Sequence, residues 1–409
     1  MFLKDQSDIR KCSSCDNGFL TEKLFEISNL PLVDSFSKSS ESAKKVPTST
    51  VTIRSCNCCK TVQIDNPINP VNLYKSYIYD SKSSPDLENH FEGYLNDLNT
   101  RGLLNNSRIL EIGINDGLLA EKIIDSKPLS YVGIDPSPQS ASIKTQGISI
   151  INDFFSSDLI KDHNLEKGTV DLILANHVLS HIPNLIDTFR SINHLLTAEG
   201  ILVFEVQSLA HMLEGGGFDY IYHEHIFYHT LESLNILLTD SGLRIYDVSL
   251  TPVKGGSYRI FACKIDDERE NSARLDYYKF FEKLIKPHSN ERWSLMNNHV
   301  STIKSKIHHV LENCNKKILG YGASATGTVL LRYLELDNLL ESIIDDNTKR
   351  QGLYAPKSAL PILDSSSIKN DSLVLCLAWR HYGYYKNKLE NINHIVPMPF
   401  LQHFDNNID

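Results

Sequence analysis

Ile109-Leu-Glu-Ile-Gly-Ile-Asn-Asp-Gly117, followed by Tyr131-Val-Gly-Ile-Asp135, decides the fold of this chain. The first run is apolar around Glu111, turns through Gly113, Asn115 and Gly117, and passes into a helical pattern. The second is apolar and closes on Asp135. Together they read as the first half of a nucleotide-binding βαβ unit. Glycines at such a turn let the backbone approach a ligand, and an acid closing the second strand can accept hydrogen bonds from ribose hydroxyls. The spacing is Gly-x-x-x-Gly rather than Gly-x-Gly-x-x-Gly, and no Lys-Ser/Thr pair follows. That argues against a dinucleotide and against a P-loop nucleotide. S-adenosylmethionine (SAM) fits better, since it has a ribose and an adenine but no phosphate to cradle. The competing reading is a plain structural turn.

Around this stretch the chain is ordinary in composition. Its 409 residues suffice for two or three domains, and 41% apolar with 22% charged residues describes a soluble globular protein. Net charge is −9 with the basic residues scattered, so no nucleic-acid footprint is present. The N-terminal Met-Phe-Leu-Lys-Asp-Gln lacks the apolar core of a signal peptide, and no apolar run reaches the ~20 residues of a membrane span. A cytoplasmic protein without membrane partners is expected, in which the eight cysteines do not form a disulfide framework.

Instead, Cys12-Ser-Ser-Cys15 and Cys56-Asn-Cys-Cys59 form two Cys-x-x-Cys knuckles. Two such knuckles supply four tetrahedral thiolates, so Cys12, Cys15, Cys56 and Cys59 are the candidate ligands of one structural Zn²⁺. The polar, Ser/Lys-rich stretch between them suits a small module that needs a metal staple to fold. Free thiols and a redox dithiol are the alternatives, and Cys58 is a spare that could replace a ligand.

Downstream the pattern alternates helix and strand. Strands are expected at Ile109–Ile112, Tyr131–Ile134, Ile148–Ile151, Leu172–Ala175 and Ile201–Val206, each short, apolar and bounded by turn residues. Antiparallel-type strands follow at Arg244–Leu250 and Tyr258–Lys264, completing an α/β doubly wound sheet. A polar boundary at Asp266–Arg274 leads into a helical segment, Leu275–Asn315. Then the nucleotide-fold pattern begins again with Gly320-Tyr-Gly-Ala-Ser-Ala-Thr-Gly327 and Ile343-Ile-Asp-Asp-Asn347.

Ligands in parallel sheets sit at the carboxyl ends of the strands. On that edge the candidates for holding SAM are Glu111, Gly113, Asn115 and Gly117, then Asp135 and Pro136, then Asp153 and Phe154 for the adenine, then Asn176 and His181, and finally Gln207. Any one alone reads as a polar cap; their arrival in order makes the case. A second constellation is Tyr222-His-Glu-His225, embedded in aromatics. Histidine is the usual base near neutral pH, and a neighbouring carboxylate can orient it. A buried aromatic cluster or a His-x-His metal site are the alternatives. A third cluster is the tyrosine-rich segment from Tyr74 to Ser84, a lid or a linker.

These motifs, with Gly255-Gly-Ser257 and Gln351-Gly352, resemble the SAM-dependent sugar C-methyltransferases essentially end to end. The resemblance implies an α/β architecture in three parts: a small zinc-binding N-terminal module over residues 1–70, a central class I SAM-methyltransferase (Rossmann-like) domain over 71–270, and a C-terminal Rossmann-like domain over 271–409 that contributes to sugar-nucleotide binding. It implies a monomer and a nucleoside-diphosphate 4-keto-6-deoxy sugar as substrate, methylated preferably at C3 through an enediolate. It also implies that His225 is the base, with Tyr222 and Glu224 beside it, and that Tyr79 completes the pocket, with Tyr77 as the competing alignment. Two residues depart from the family pattern: Lys254 stands where a His is usual, and Arg380 where an Asn is usual. Both put the identity of the sugar and nucleotide in question. An O- or N-methyltransferase and a non-catalytic scaffold of sugar biosynthesis are the rival readings.

Overall fold

A computed structural model describes residues 10–69, 81–83 and 85–404. Tyr79 and Tyr77 lie outside the described residues. The chain divides into two compact units, each drawn from several segments. The first gathers the described residues up to Glu22, Arg54–His211 and Ile226–His288; the second gathers Lys23–Ile53, Met212–His225 and the chain from Ser289 onward.

Three strands precede the parallel sheet: β1 (Leu20–Pro31), β2 (Thr48–Cys56) and β3 (Val62–Ile64). Then come β4 (Arg108–Ile112), β5 (Ser130–Ile134), β6 (Ile148–Ile151), β7 (Val170–Asn176) and β8 (Leu196–Gln207). After the short β9 (Phe227–Tyr228), β10 (Leu243–Thr251) and β11 (Ser257–Lys264) close the unit's main sheet. The order β10-β11-β8-β7-β4-β5-β6 makes a seven-stranded sheet. In this sheet β4 to β8 pair in parallel, whereas β11 is antiparallel to both β8 and β10. The order reverses at β4, with β5 on one side and β7 on the other, which is where open α/β sheets bind ligands.

Both faces of this sheet are buried, which is why its strands read as unbroken apolar runs. Leu110, Ile112, Ile173, Ala175, Leu202 and Phe204 face one core; Ile109, Leu172, Leu174, Ile201 and Val203 face the other. The helix Leu185–Leu195 buries Leu185, Ile186, Phe189, Ile192 and Leu195 against the first core, and Asn184 caps it by accepting from the Asp187 N–H. Glu205 interrupts β8 as a fully buried carboxylate.

In the second unit, β12 (Lys317–Tyr321), β13 (Ser342–Ile344), β14 (Ile362–Leu363), β15 (Ser372–Cys376), β16 (Asn393–Val396) and β17 (Gln402–Phe404) form a six-stranded sheet in the order β14-β13-β12-β15-β16-β17. All pairs are parallel except β16 with β17. This is a second Rossmann-like sheet, as the repeated pattern implied.

One expectation changes. The helical segment Leu275–Asn315 is two helices, Ala273–Ile285 and Asn290–Glu312. Lys286 adopts a left-handed conformation (φ 55°) and Pro287 follows, removing an N–H donor, so the first helix cannot continue.

Candidate active site

The turn after β4 is shaped by packing. Gly113 has φ 80°, and a Cβ there would stand 2.8 Å from Val178 Cβ. Only glycine admits that approach. Two residues on, Asn115 also takes a left-handed conformation (φ 52°), and its N–H donates to Asp135 Oδ2 at 2.9 Å. Asp135 Oδ1 accepts from the Ser137 N–H at 2.7 Å. Each carboxylate oxygen is therefore oriented by one backbone donor and keeps a further lone pair. Asn115 Oδ1 accepts from the Ser81 N–H at 3.1 Å, tying the segment before the sheet to this loop.

A cavity of about 450 Å³ opens over this edge. That is within the range of small-ligand sites. Gly113, Asn115, Asp135, Pro136, Phe154, Asn176 and His181, all expected there from the sequence, line it. Glu111, Gly117, Asp153 and Gln207 do not belong to the lining. Glu111 is buried below the turn and accepts from Tyr131 Oη at 2.6 Å, and burial pushes its carboxyl up to about 8. Gly117 (φ 81°) starts the helix Leu118–Ile123. Asp153 is exposed and accepts from the Phe154 N–H. Gln207 donates through Nε2 to the Lys254 carbonyl at 3.0 Å.

The far wall holds a charged network that the motif reading did not assign. His177 and Lys254 line the cavity. Glu205 Oε2 lies 2.6 Å from His90 Nε2 and 3.3 Å from His177 Nε2, and its Oε1 accepts from Arg259 Nε at 2.8 Å. Burial alone would push the Glu205 carboxyl up; the bonds to His177 and His90 more than offset it and hold it well below the usual range. Burial and the nearby Lys254 charge lower His177 to about 4, so its imidazole is neutral at pH 7. A lone carboxylate inside the apolar run Ile201–Val206 was the sequence signal for this network; nothing local marked His90.

In the second unit, the Tyr222–His225 turn has a defined hydrogen-bond order. His225 Nδ1 lies 2.9 Å from the Tyr220 carbonyl oxygen, and Nε2 lies 3.0 Å from Tyr222 Oη. A carbonyl can only accept, so Nδ1 carries the proton and Nε2 offers its lone pair to the Tyr222 hydroxyl. The imidazole is half-buried. Glu224 is pushed up to about 8 by burial, with Asp34 adding to the rise. His223 turns to Ser49, at 2.7 Å from its Oγ. Just upstream, the fully buried Asp219 accepts two bonds from Arg380, at 2.6 and 2.7 Å, and one from Trp379 Nε1 at 3.0 Å. The Arg380 guanidinium also lies over the Tyr220 ring, 4.2 Å from its centroid. The unusual arginine is thus an internal ion-pair partner.

Two family signatures match this chain. Residues 88–248 match the family described as a methyltransferase domain, and residues 252–396 match the C-methyltransferase C-terminal domain. The C-methyltransferase NovU of Streptomyces niveus is 26% identical over 357 residues, spanning 84% of this chain and 85% of that protein. Together these matches make the chain a SAM-dependent methyltransferase with a C-methyltransferase C-terminal domain. Among solved structures, a SAM-dependent methyltransferase from Aquifex aeolicus aligns with 48% of this methyltransferase and 98% of its own chain, at 14% identity and a TM-score of 0.36. CalH in complex with SAH aligns over 48% of this chain and 62% of its own, at 19% identity and a TM-score of 0.36.

The methyltransferase carries a further cluster in its first unit. Cys12 Sγ and Cys59 Sγ lie 3.8 Å apart, Cys15 Sγ and Cys56 Sγ 3.7 Å, and all four sulfurs lie within 4.8 Å of one another. A Cβ on Gly18 would stand 2.2 Å from Cys56 Sγ, so glycine at that position lets the sulfurs converge. The Ser14 and Cys58 N–H groups and Gln63 Nε2 donate to Cys12 or Cys56 Sγ. Cys58 itself is exposed and outside the cluster. Among the described residues, no helix is long and apolar enough to cross a membrane.

Proposed function

We propose that this methyltransferase acts on a nucleoside-diphosphate 4-keto-6-deoxy sugar, transferring the methyl group to C3, with His225 as the base. The observation that carries the reading is the His225 hydrogen-bond order: a fixed Nδ1–H leaves Nε2 as a basic lone pair beside a tyrosine hydroxyl. A carbon acid needs such a base, because a ketone makes the neighbouring C–H acidic but does not remove its proton. O- or N-methylation places no such demand. Tyr222 donates to Nε2 in the resting state and can turn to the enediolate oxygen when the base takes a proton. Glu224 stands beside the base, and we assign Tyr79 to the same pocket by family resemblance. The C-terminal Rossmann-like sheet would hold the nucleotide, consistent with the intact turn at Gly322 and Asp345, whose Oδ2 accepts from the Ala323 N–H at 2.7 Å. The test is mass spectrometry of a panel of 4-keto sugar nucleotides incubated with enzyme and SAM. One added methyl on a single member supports the reading; methylation of non-keto acceptors alone would defeat it.

The cavity over β4 and β5 fits SAM by its volume, its aromatic Phe154 and its oriented Asp135 carboxylate. SAM supplies an electrophilic methyl group when bound. Asp135 would accept from the ribose hydroxyls, with Asn115 and Ser137 fixing its rotamer. Asp135→Ala is expected to weaken SAM binding by ~2 kcal/mol, since charged acceptors contribute roughly 1.5–3 kcal/mol. Calorimetry giving an unchanged dissociation constant would mean the ribose sits elsewhere.

The cysteine cluster fits zinc. Four thiolates at about 2.3 Å from one tetrahedral ion stand about 3.8 Å apart, close to the spacings observed here. The N–H donors to sulfur would orient the ligands and stabilise their charge. Elemental analysis should return one zinc per chain in the wild type and in Cys58→Ser, and loss of most of it in Cys56→Ser. Full zinc retention in Cys56→Ser would remove that residue from the ligand set.

A further inference from the structure

We propose that Lys254 is a catalytic residue of the methyl-transfer reaction, the cation that stabilises the oxygen of the substrate enolate. The inference rests on the reading of the reaction as methylation at carbon next to a ketone.

Its placement carries the argument. Along the carboxyl edge the strands run β6-β5-β4-β7-β8-β11. Asp135 ends β5 and Phe154 follows β6, so the adenosine half of the cofactor belongs at that side. His177 follows β7, two strand steps from β5, and Lys254 precedes β11, two steps further. At about 4.8 Å per step the edge from Asp135 to Lys254 spans roughly 20 Å. The cavity reaches from one to the other, since both line it. Lys254 therefore marks the end away from the adenosine, where the methyl acceptor must enter.

The backbone is arranged to hold it there. Lys254 adopts a left-handed conformation (φ 51°, ψ 35°), which costs a non-glycine residue roughly 1–2 kcal/mol and persists only where the surroundings impose it. Gln207 imposes it by bonding the Lys254 carbonyl, and Gly256 follows with φ 111°, where a Cβ would stand 3.0 Å from His211 Cβ. A turn of this kind could have exposed its lysine to solvent. Instead the residue is half-buried and lines the cavity.

Glu205 on β8 and His177 after β7 interact electrostatically with it, and Glu205 in turn holds Arg259 on β11 and His90 on the helix Pro85–Thr100. Two imidazoles and a carboxylate within 4.8 Å could hold a metal cation, but Arg259 already occupies Glu205 Oε1 and Lys254 adds a positive charge. The network is better suited to orienting cations than to binding another. Burial lowers Lys254 to about 8, partly offset by Glu205. Developing enolate charge would raise it again, so the lysine interacts more strongly with the transition state than with the neutral ketone, which is the requirement for catalysis. No proton need leave Lys254: a base takes the C3 proton, the C–H electron pair moves into the enolate and then forms the bond to the methyl carbon, while the methyl–sulfur bond breaks, its electron pair stays on sulfur, and S-adenosylhomocysteine leaves.

The test compares wild type, Lys254→Met and Lys254→Arg, using thymidine-diphosphate 4-keto-6-deoxyglucose and SAM as probes. SAM affinity in Lys254→Met should stay within twofold, while single-turnover methylation falls roughly a hundredfold, the usual loss of one oxyanion donor. Lys254→Arg should recover a measurable part of that rate. In the wild type the rate should decline as pH rises through about 8, where Lys254 loses its proton, and in Lys254→Arg this limb should move to higher pH. A tenfold loss of SAM affinity in Lys254→Met with normal turnover at saturating SAM would assign the lysine to the cofactor carboxylate and overturn the proposal. So would methylation within threefold of wild type, or a basic limb unmoved in Lys254→Arg. If the wild type methylates no 4-keto sugar nucleotide, the substrate reading fails and the proposal falls with it. If the wild type is active and Lys254→Met equally so, the proposal alone fails.

Discussion

His225→Ala is expected to lose about a thousandfold in methyl transfer while SAM still binds with near wild-type affinity. A positioned general base contributes roughly 10²–10⁴. More than the lower limit of that range applies here because two contacts already define the imidazole. The Tyr220 carbonyl at 2.9 Å fixes the tautomer, and Tyr222 Oη at 3.0 Å fixes the direction of the lone pair. His225→Gln would keep a donor toward the Tyr220 carbonyl without a basic nitrogen, so it should be as inactive as the alanine variant. With an inert SAM analogue in D₂O, the wild type should wash deuterium into one position of the sugar and the variant should not. Exchange at the full rate in His225→Ala would transfer the role of base to another group. His223 lies in the same turn, but burial lowers it to about 4 and makes it a weaker base than an ordinary imidazole, so exchange through it should be slower.

Asp219→Ala should destabilise the second unit by about 3–5 kcal/mol, because it strands a guanidinium in a buried position. Arg380 makes two charge-assisted bonds to Asp219, and Trp379 Nε1 a third. Removing the carboxylate leaves these donors unpaired and the charge uncompensated. At roughly 2–4 °C per kcal/mol for a body of this size, the melting midpoint should fall on the order of 10 °C. The double variant Asp219→Ala with Arg380→Met removes the charge with its partner and should recover much of the loss. A shift of less than 2 °C in the single variant, or no recovery in the double, would mean the pair is solvated. The pair also bears on activity, because Tyr220, whose carbonyl sets the His225 tautomer, directly follows Asp219 and lies under the Arg380 guanidinium. Even a folded Asp219→Ala protein should therefore lose turnover.

The central strands of the large sheet were legible because they are buried on both faces, so their residues form short apolar runs with turn residues at both ends; the edge strand β6, half-buried with Ser149 exposed, was legible from its three isoleucines. Tyr131–Ile134 and Ile148–Ile151 lie inside β5 and β6 to within a residue. The helix break at Lys286 is marked in the sequence only by Pro287, and the regular apolar stripe of the second helix, Trp293, Met296, Val300, Ile303, Ile307 and Leu311, gives the segment the look of one helix. Within the cavity, the residues next to strand ends, such as Gly113, Asp135 and Asn176, could be read because their position along the chain is their position in space. Glu111 and Gln207 also stand at strand ends yet point elsewhere, one to Tyr131 and the other to the Lys254 carbonyl. Side-chain direction depends on neighbours supplied by other strands.

The chain by itself determined its class, because local spacing controls turns, strand runs and thiolate pairs. Gly113 to Asp135 and the two cysteine knuckles need few distant residues to be recognisable. The charged wall was decided only by tertiary structure. His90, His177, Glu205, Lys254 and Arg259 span 170 positions of sequence and meet because the antiparallel β11 is inserted beside β8. So was the state of His225. Its tautomer depends on one backbone carbonyl, and the residue that steadies that carbonyl's neighbour, Arg380, lies 155 residues away. Electrostatic interactions act through space at a few ångströms and carry no local sequence period, so neither pairing leaves a mark that spacing could reveal.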